Sequence, residues 1–178
     1  MRTVVLRVVA LALLLLLALV AVLTVRTLHR LPNTVVYFVT SDATSVHLAP
    51  VYRRGGGGGG GGAVARAERQ VAARAAGPTP GEAAKGLSSA VPADTRVLGA
   101  QLHGTTLTID LSAAFERGGG SASMMGRLDQ LFYTLTRPDG IDAVSLEVEG
   151  QPVTAFAGEG ILVPNPWRRA DHPSDPVW

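Results

Sequence analysis

Arg96–Leu111 reads RVLGAQLHGTTLTIDL, and its alternation decides the fold class. Leu107, Ile109 and Leu111 fall on one side of an extended chain, and Thr106, Thr108 and Asp110 fall on the other. That period marks a strand with one face in a core and one face wet. Arg96–Leu102 continues the style upstream, and His103-Gly104 supplies two turn residues with glycine second, so the pair predicts a tight hairpin of Arg96–Leu102 with Thr105–Leu111.

Downstream the period changes from two to that of a helix. Met124, Leu128, Leu131 and Leu135 recur at helical spacing, with Met125 and Phe132 widening the stripe and Ser121 or Ser123 placed to cap it. Arg137-Pro138-Asp139-Gly140 ends this helix, Val144–Val148 alternates as a strand, and Glu149-Gly150 makes a turn. Upstream, Asn33–Thr40 (NTVVYFVT) and Val46–Arg53 are β-branched and aromatic and predict two more strands. Pro50 places the second of them at an edge or a bend, because proline cannot donate to a ladder. Ala63–Ala76 is an Ala-rich helix carrying Arg66, Glu68, Arg69 and Arg74, and Gly77-Pro78 stops it.

The order β-β-α-β-β-α-β predicts an α+β domain over residues 31–157, a mixed sheet packed by two helices. The glycine run Gly55–Gly62 inside it cannot bury side chains and is expected as a flexible loop. It formally contains G-x-G-x-x-G, yet no Gly-Lys-Ser/Thr follows, so a phosphate cradle is not expected. From residue 158 to 178 the chain is rich in Gly and Pro without an apolar period, which predicts an extended, poorly ordered tail.

Residues 1–30 are of a different kind. Val8–Val25 is apolar but for Thr24, enough for roughly 27 Å of helix, about one hydrocarbon core. Arg2 and Arg7 precede it and no small-x-small cleavage site closes it, so a retained signal anchor is expected. Arg26 and Arg30 on the far side weaken the charge asymmetry that would orient it. Without cysteine, a lipid-modified amino terminus, disulfides and thiolate metal sites are all excluded.

The formal charge of +2 overstates how basic the domain is. Four of the 16 basic residues flank the apolar run, and the 14 acidic residues outnumber the remainder. Nucleic acid is therefore not expected as a partner.

Chemistry-bearing residues are sparse. Asp110 and Ser112 at a strand end read as turn or cap groups, since acid-base work needs a second positioned group. His29, His47, His103 and His172 show no metal-ligand spacing, and Gly-x-Ser-x-Gly and Ser-x-x-Lys are absent. Asp139, Asp142, Glu147, Glu149 and Glu159 lie in a segment with no basic residue, either a solvated face or a partner-facing one. Tyr133 and Thr134 could form a recognition surface, although Tyr133 adjoins the apolar stripe. No catalytic residue, metal or cofactor is expected.

A longer series of residues carries a resemblance. Val91-Pro92, Thr95, Val97-Leu98, Asp110-Leu111-Ser112, Phe115, Gln130-Leu131, Tyr133-Thr134-Leu135-Thr136, Val144 and Gly150 follow one another in the order and spacing of the GerMN domain. Tyr37-Phe38, Val51-Tyr52-Arg53, Gly77-Pro78 and Gly86-Leu87 extend the likeness upstream. The chain departs from the pattern at Ala72, Ala73, Ala75 and Ala76, where members usually carry leucines. The resemblance implies a binding or assembly module of the bacterial envelope, found in spore-germination and sporulation proteins and in bacteria without spores. It also implies a topology like that of ring-building motifs, and it places the domain outside the cytoplasmic membrane.

Three functions follow as expectations. The first is a single-pass, non-enzymatic envelope protein binding a protein or wall component through an exposed sheet edge. The second is self-association into a ring or fibre, and the third is an enzyme acting on peptidoglycan or another glycan.

Overall fold

The computed structural model describes residues 7, 11, 13–23, 34–41, 46–53, 62–136, 140–156 and 160–172. The chain divides into two compact units, Met1–Asn33 and Thr34–Trp178. In the first, residues 13–23 are helical and their leucines are exposed. Among the described residues no helix is long and apolar enough to cross a membrane, and the rest of the expected span Val8–Val25 lies outside them.

The second unit begins with an antiparallel hairpin of β1 (Thr34–Ser41) and β2 (Val46–Arg53). Two helices follow, α1 (Ala63–Ala75) and the single turn α2 (Pro80–Ala83), which opens with a capping box between Thr79 and Glu82. Next come β3 (Val97–His103), β4 (Thr106–Leu111), the long helix α3 (Ser121–Leu135) and β5 (Ala143–Val148). Short strands close the unit: β6 (Gln151–Pro152), β7 (Ala155–Phe156), β8 (Ile161–Leu162) and β9 (Trp167–Arg168). The expected β-β-α-β-β-α-β order is present, with these additions. The glycine loop lies outside the described residues except for Gly62.

The strands do not form the one sheet expected. β3, β4, β5 and β6 lie side by side, with β9 also on β5, while β1 and β2 form a separate two-stranded sheet. The main sheet is mixed: β3 and β4 are antiparallel, and β4 and β5 are parallel because α3 carries the chain back to the same end. The hairpin stays separate, with the outer side of β1 bonded to Gln70, Ser88 and Thr134 and to no third strand among the described residues.

Alternation in β4 behaves as the sequence predicts. Leu107, Ile109 and Leu111 are fully buried, and they share one core with Val144 and Leu146 of β5 and Leu128, Leu131 and Leu135 of α3. Replacing one such leucine by alanine costs about 2–5 kcal/mol. The hairpin turn is shifted by one residue, since His103 pairs with Thr106 and leaves Gly104-Thr105 as the loop. Gly104 has φ 61°, which suits the first loop position of a turn matched to strand twist.

Three further expectations are corrected. Neither Ser121 nor Ser123 caps α3, whose N-cap is Gly120 without a side-chain hydrogen bond. Met125 is exposed, while Arg127 and Gln130, which sequence reasoning passed over, are buried on the same helix. The Gly/Pro-rich tail is built into the unit over residues 160–172. Trp167 is 2% exposed and stacks on Phe132 at 5.2 Å, and Asn165 Nδ2 donates to Leu146 O and Val153 O. One large aromatic and one satisfied amide order a segment that has no apolar period.

Candidate functional site

The residues singled out by the family resemblance converge in three places, each stitched to backbone. Tyr37 donates its N–H to Thr134 Oγ1 at 3.0 Å, Thr134 Oγ1 in turn donates to Gln130 O, and the Tyr37 and Tyr133 rings meet edge-on at 6.3 Å. Tyr133 is therefore an interior ring against β1, with Leu135 buried beside it in the same helix. Tyr133 and Thr134 do not form a recognition surface.

Arg53 organises the second cluster. Its guanidinium lies 4.9 Å from the Phe38 ring centroid, donates to Ala73 O and Gly77 O, and pairs with Glu82. Desolvation pushes the Glu82 pKa up, but hydrogen bonds from Arg53 and Thr79 and the charge of Arg53 together outweigh it and draw the pKa down. Gly77 takes φ 76° and bonds back to Arg74 O, a C-terminal cap that Pro78 follows. Arg53 thus holds the end of α1 and the start of α2 against the hairpin.

The third cluster sits where β4 ends. Asp110 Oδ1 accepts the Gly150 N–H at 3.0 Å, and Glu149 Oε1 accepts the Ala113 N–H at 2.8 Å. Glu149 has φ 50°, and these two bonds with Glu149 N–H to Leu111 O hold it there. Ser112 Oγ accepts the Arg96 N–H, and Phe115 is fully buried. Pro92 O accepts the Thr95 N–H in the turn before β3.

A polar seam that the sequence did not disclose runs between α1 and α3. Arg74 is fully buried and donates from Nη1 to Gln130 O at 2.9 Å, and among the described residues its Nε and Nη2 have no partner. Burial lowers its pKa to about 9, so it stays charged at neutral pH. Gln130 accepts the Ala90 N–H and donates to Ser89 Oγ. Arg127 gives its guanidinium to the carbonyls of Ala90, Phe115, Arg117 and Gly118, and burial lowers its pKa also. The available signal was position: Arg74 follows Val71 by three residues, and Arg127 follows Met124 by three, each on the buried face of its helix.

Shallow grooves lie on this part of the unit. One of about 610 Å³ runs between Gly77, Leu87, Pro92 and Gly118 beside Arg127. Another of about 450 Å³ contains Asp94, Arg96, Ser112 and Glu149, but not Asp110. Its acids are engaged, Asp94 with Arg117 and Glu149 with Ala113. Among the described residues no group of three His, Asp or Glu side chains is placed to hold a metal ion. Asp129 stands apart on α3, where burial raises its pKa to about 6 against a smaller opposing pull from His172.

The sequence matches the family described as Germane, sporulation and spore germination, over residues 35–154. The fold is similar to the tandem GerMN domains of the sporulation protein GerM from Bacillus subtilis, with TM-score 0.60 and 17% identity over 78% of this chain and 47% of that one. The first GerMN domain of the same protein matches with TM-score 0.60 and 17% identity, over 78% of this chain and 100% of that one. A putative lipoprotein from Clostridium perfringens matches with TM-score 0.52 and 21% identity over 78% of this chain and 88% of that one. The chain thus spans about half of the tandem-domain structure. No curated protein matches the sequence. The residues that stitch β1 to α3, α1 to β2 and β4 to the Glu149-Gly150 turn all fall within 35–154, and the chain belongs to the Germane family.

Proposed function

We propose that this is a non-enzymatic, membrane-anchored protein of the cell envelope whose Germane domain, outside the cytoplasmic membrane, binds a protein or wall component. The carrying observation is how the family-pattern side chains are used. Asp110, Ser112, Arg53 and Thr134 are each hydrogen-bonded to backbone that shapes the domain, which leaves the surface to do the work. A glycan-cleaving enzyme would need two carboxyl groups facing one groove. Asp94 and Glu149 share one, and each is committed to a partner. Anchoring is supported by the apolar run Val8–Val25 and by exposed leucines such as Leu14 (66%) along its helical part.

The test is in-cell crosslinking of the full-length chain followed by membrane fractionation and mass spectrometry. Co-purification with membranes and recovery of envelope or wall-synthesis proteins is the expected result. A freely soluble protein recovered with cytoplasmic partners would overturn it. Self-association, the second reading, is favoured by a separate observation, the open edge of β3.

A further inference from the structure

We propose that β3 pairs through its outer edge with β3 of a second copy, antiparallel about a twofold axis at Gln101. This gives self-association a definite surface, and it stands or falls apart from anchoring and from binding to other proteins.

The hydrogen-bond phase of the sheet locates the open groups. Leu111 O accepts from Glu149 N–H and Thr105 O from Asp142 N–H, so the odd-numbered residues of β4 face β5. Thr106, Thr108 and Asp110 then bond to β3, where their partners are His103, Gln101 and Gly99. Ala100 and Leu102 are left with N–H and C=O on the outer side, where no other strand pairs among the described residues.

The outer edge of β1 is closed by other elements, and that of β2 is interrupted by Pro50. On β1, Val35 O accepts from Gln70, Tyr37 N–H reaches Thr134, and Val39 exchanges two bonds with Ser88. Because the Tyr37 N–H points to α3, its cross-strand pair with Pro50 is not hydrogen-bonded, and Pro50 turns its missing N–H to the outer side of β2. The sequence of β3, VLGAQLH, has neither proline nor charge, the usual devices against edge pairing. Gly99, Gln101 and His103 are exposed, and the bulge at Leu98 precedes the span that would pair.

A second copy fits this edge better than an unrelated strand. With the axis at Gln101, Ala100 of each copy faces Leu102 of the other, and the two pairs exchange four hydrogen bonds. Gly99 faces His103, and Gln101 faces its own copy on the wet side of the sheet. A twofold axis sets every side chain against its own kind of edge, which a charged strand would resist and this uncharged one does not. The interface is isologous and closes as a dimer, joining two sheets into one without starting a ring.

The absence of cysteine makes the test direct. In the full-length chain, Gln101→Cys sits in a non-hydrogen-bonded pair with a Cα separation of about 4.5 Å, within disulfide reach. Thr108→Cys, opposite Gln101 on β4, would lie roughly 14 Å from its copy, three strand spacings away. Under mild oxidation Gln101→Cys is expected to form disulfide dimer several-fold above Thr108→Cys. Gln101→Lys, which opposes two cations without touching the core, is expected to shift wild-type dimer to monomer in light scattering. A folded Gln101→Cys that crosslinks no better than Thr108→Cys, or that links only to other proteins, overturns the proposal. So does a dimer indifferent to Gln101→Lys.

Discussion

Thr134 Oγ1 accepts the backbone N–H of Tyr37 and donates its own hydrogen bond to Gln130 O at 2.8 Å, so one hydroxyl closes the outer side of β1 against α3. Both partners are buried. Thr134→Val keeps the shape of the side chain and strands the Tyr37 N–H. The expected loss is about 1–3 kcal/mol in urea unfolding, with Thr134→Ser retaining most of the stability.

Arg74 presents the opposite situation. Its charge is fully buried with one bond to Gln130 O and, among the described residues, no carboxylate opposite, and that carbonyl keeps the Thr134 hydroxyl when Arg74 is gone. Arg74→Met removes a desolvated cation while filling similar volume. A gain of about 1–3 kcal/mol is expected by thermal or urea unfolding. A loss of that size would show that the guanidinium holds α1 to α3.

Asp110 separates the structural reading from the catalytic one. Asp110→Asn keeps an oxygen to accept the Gly150 N–H and is expected to leave stability within about 0.5 kcal/mol of wild type, whereas Asp110→Ala loses about 1 kcal/mol or more. A catalytic carboxylate would reverse the weight, with Asp110→Asn folded and inert toward peptidoglycan that the wild type cleaves.

Gly119 has φ 88°, and a Cβ there would stand 2.7 Å from Ser123 Oγ. Gly119→Ala therefore meets both backbone strain and a clash at the start of α3. About 1–3 kcal/mol of destabilisation is expected by unfolding. Gly119→Ala with Ser123→Gly relieves the clash alone and should recover part of it.

The parts of the fold that sequence disclosed are those with a one-element period. Leu107, Ile109 and Leu111 alternate, Leu128, Leu131 and Leu135 recur, and Gly77-Pro78 ends a helix, so β4, α3 and α1 were legible from the residues themselves. Contacts set by a distant segment were not. The buried roles of Arg74 and Arg127 did not show in the sequence because the carbonyls that receive them belong to Gln130 of α3 and to Ala90, Phe115, Arg117 and Gly118. Trp167 sits among prolines and glycines, and nothing local shows that Phe132 and Tyr133 wait for it. The candidate site was legible as a pattern of residue types, but its role as stitching depends on hydrogen bonds spanning 97 residues in one case and 40 in another.

Asp129 gives stability a pH dependence of unusual sign. Burial raises its pKa from 3.8 to about 6, so between those values the folded chain binds more protons than the unfolded chain. Stability contributed here is present below the lower value and is lost as pH rises through the upper one. The nearby His172, stacked on Trp167 at 4.6 Å, opposes the shift without cancelling it. Asp129→Asn removes the titrating group at nearly the same volume. The variant is expected to gain on the order of 2 kcal/mol on wild type at pH 7.5 and little at pH 4, measured as the difference between two urea unfolding series. Equal gains at both pH values would place the effect in packing around Trp167 and not in the charge.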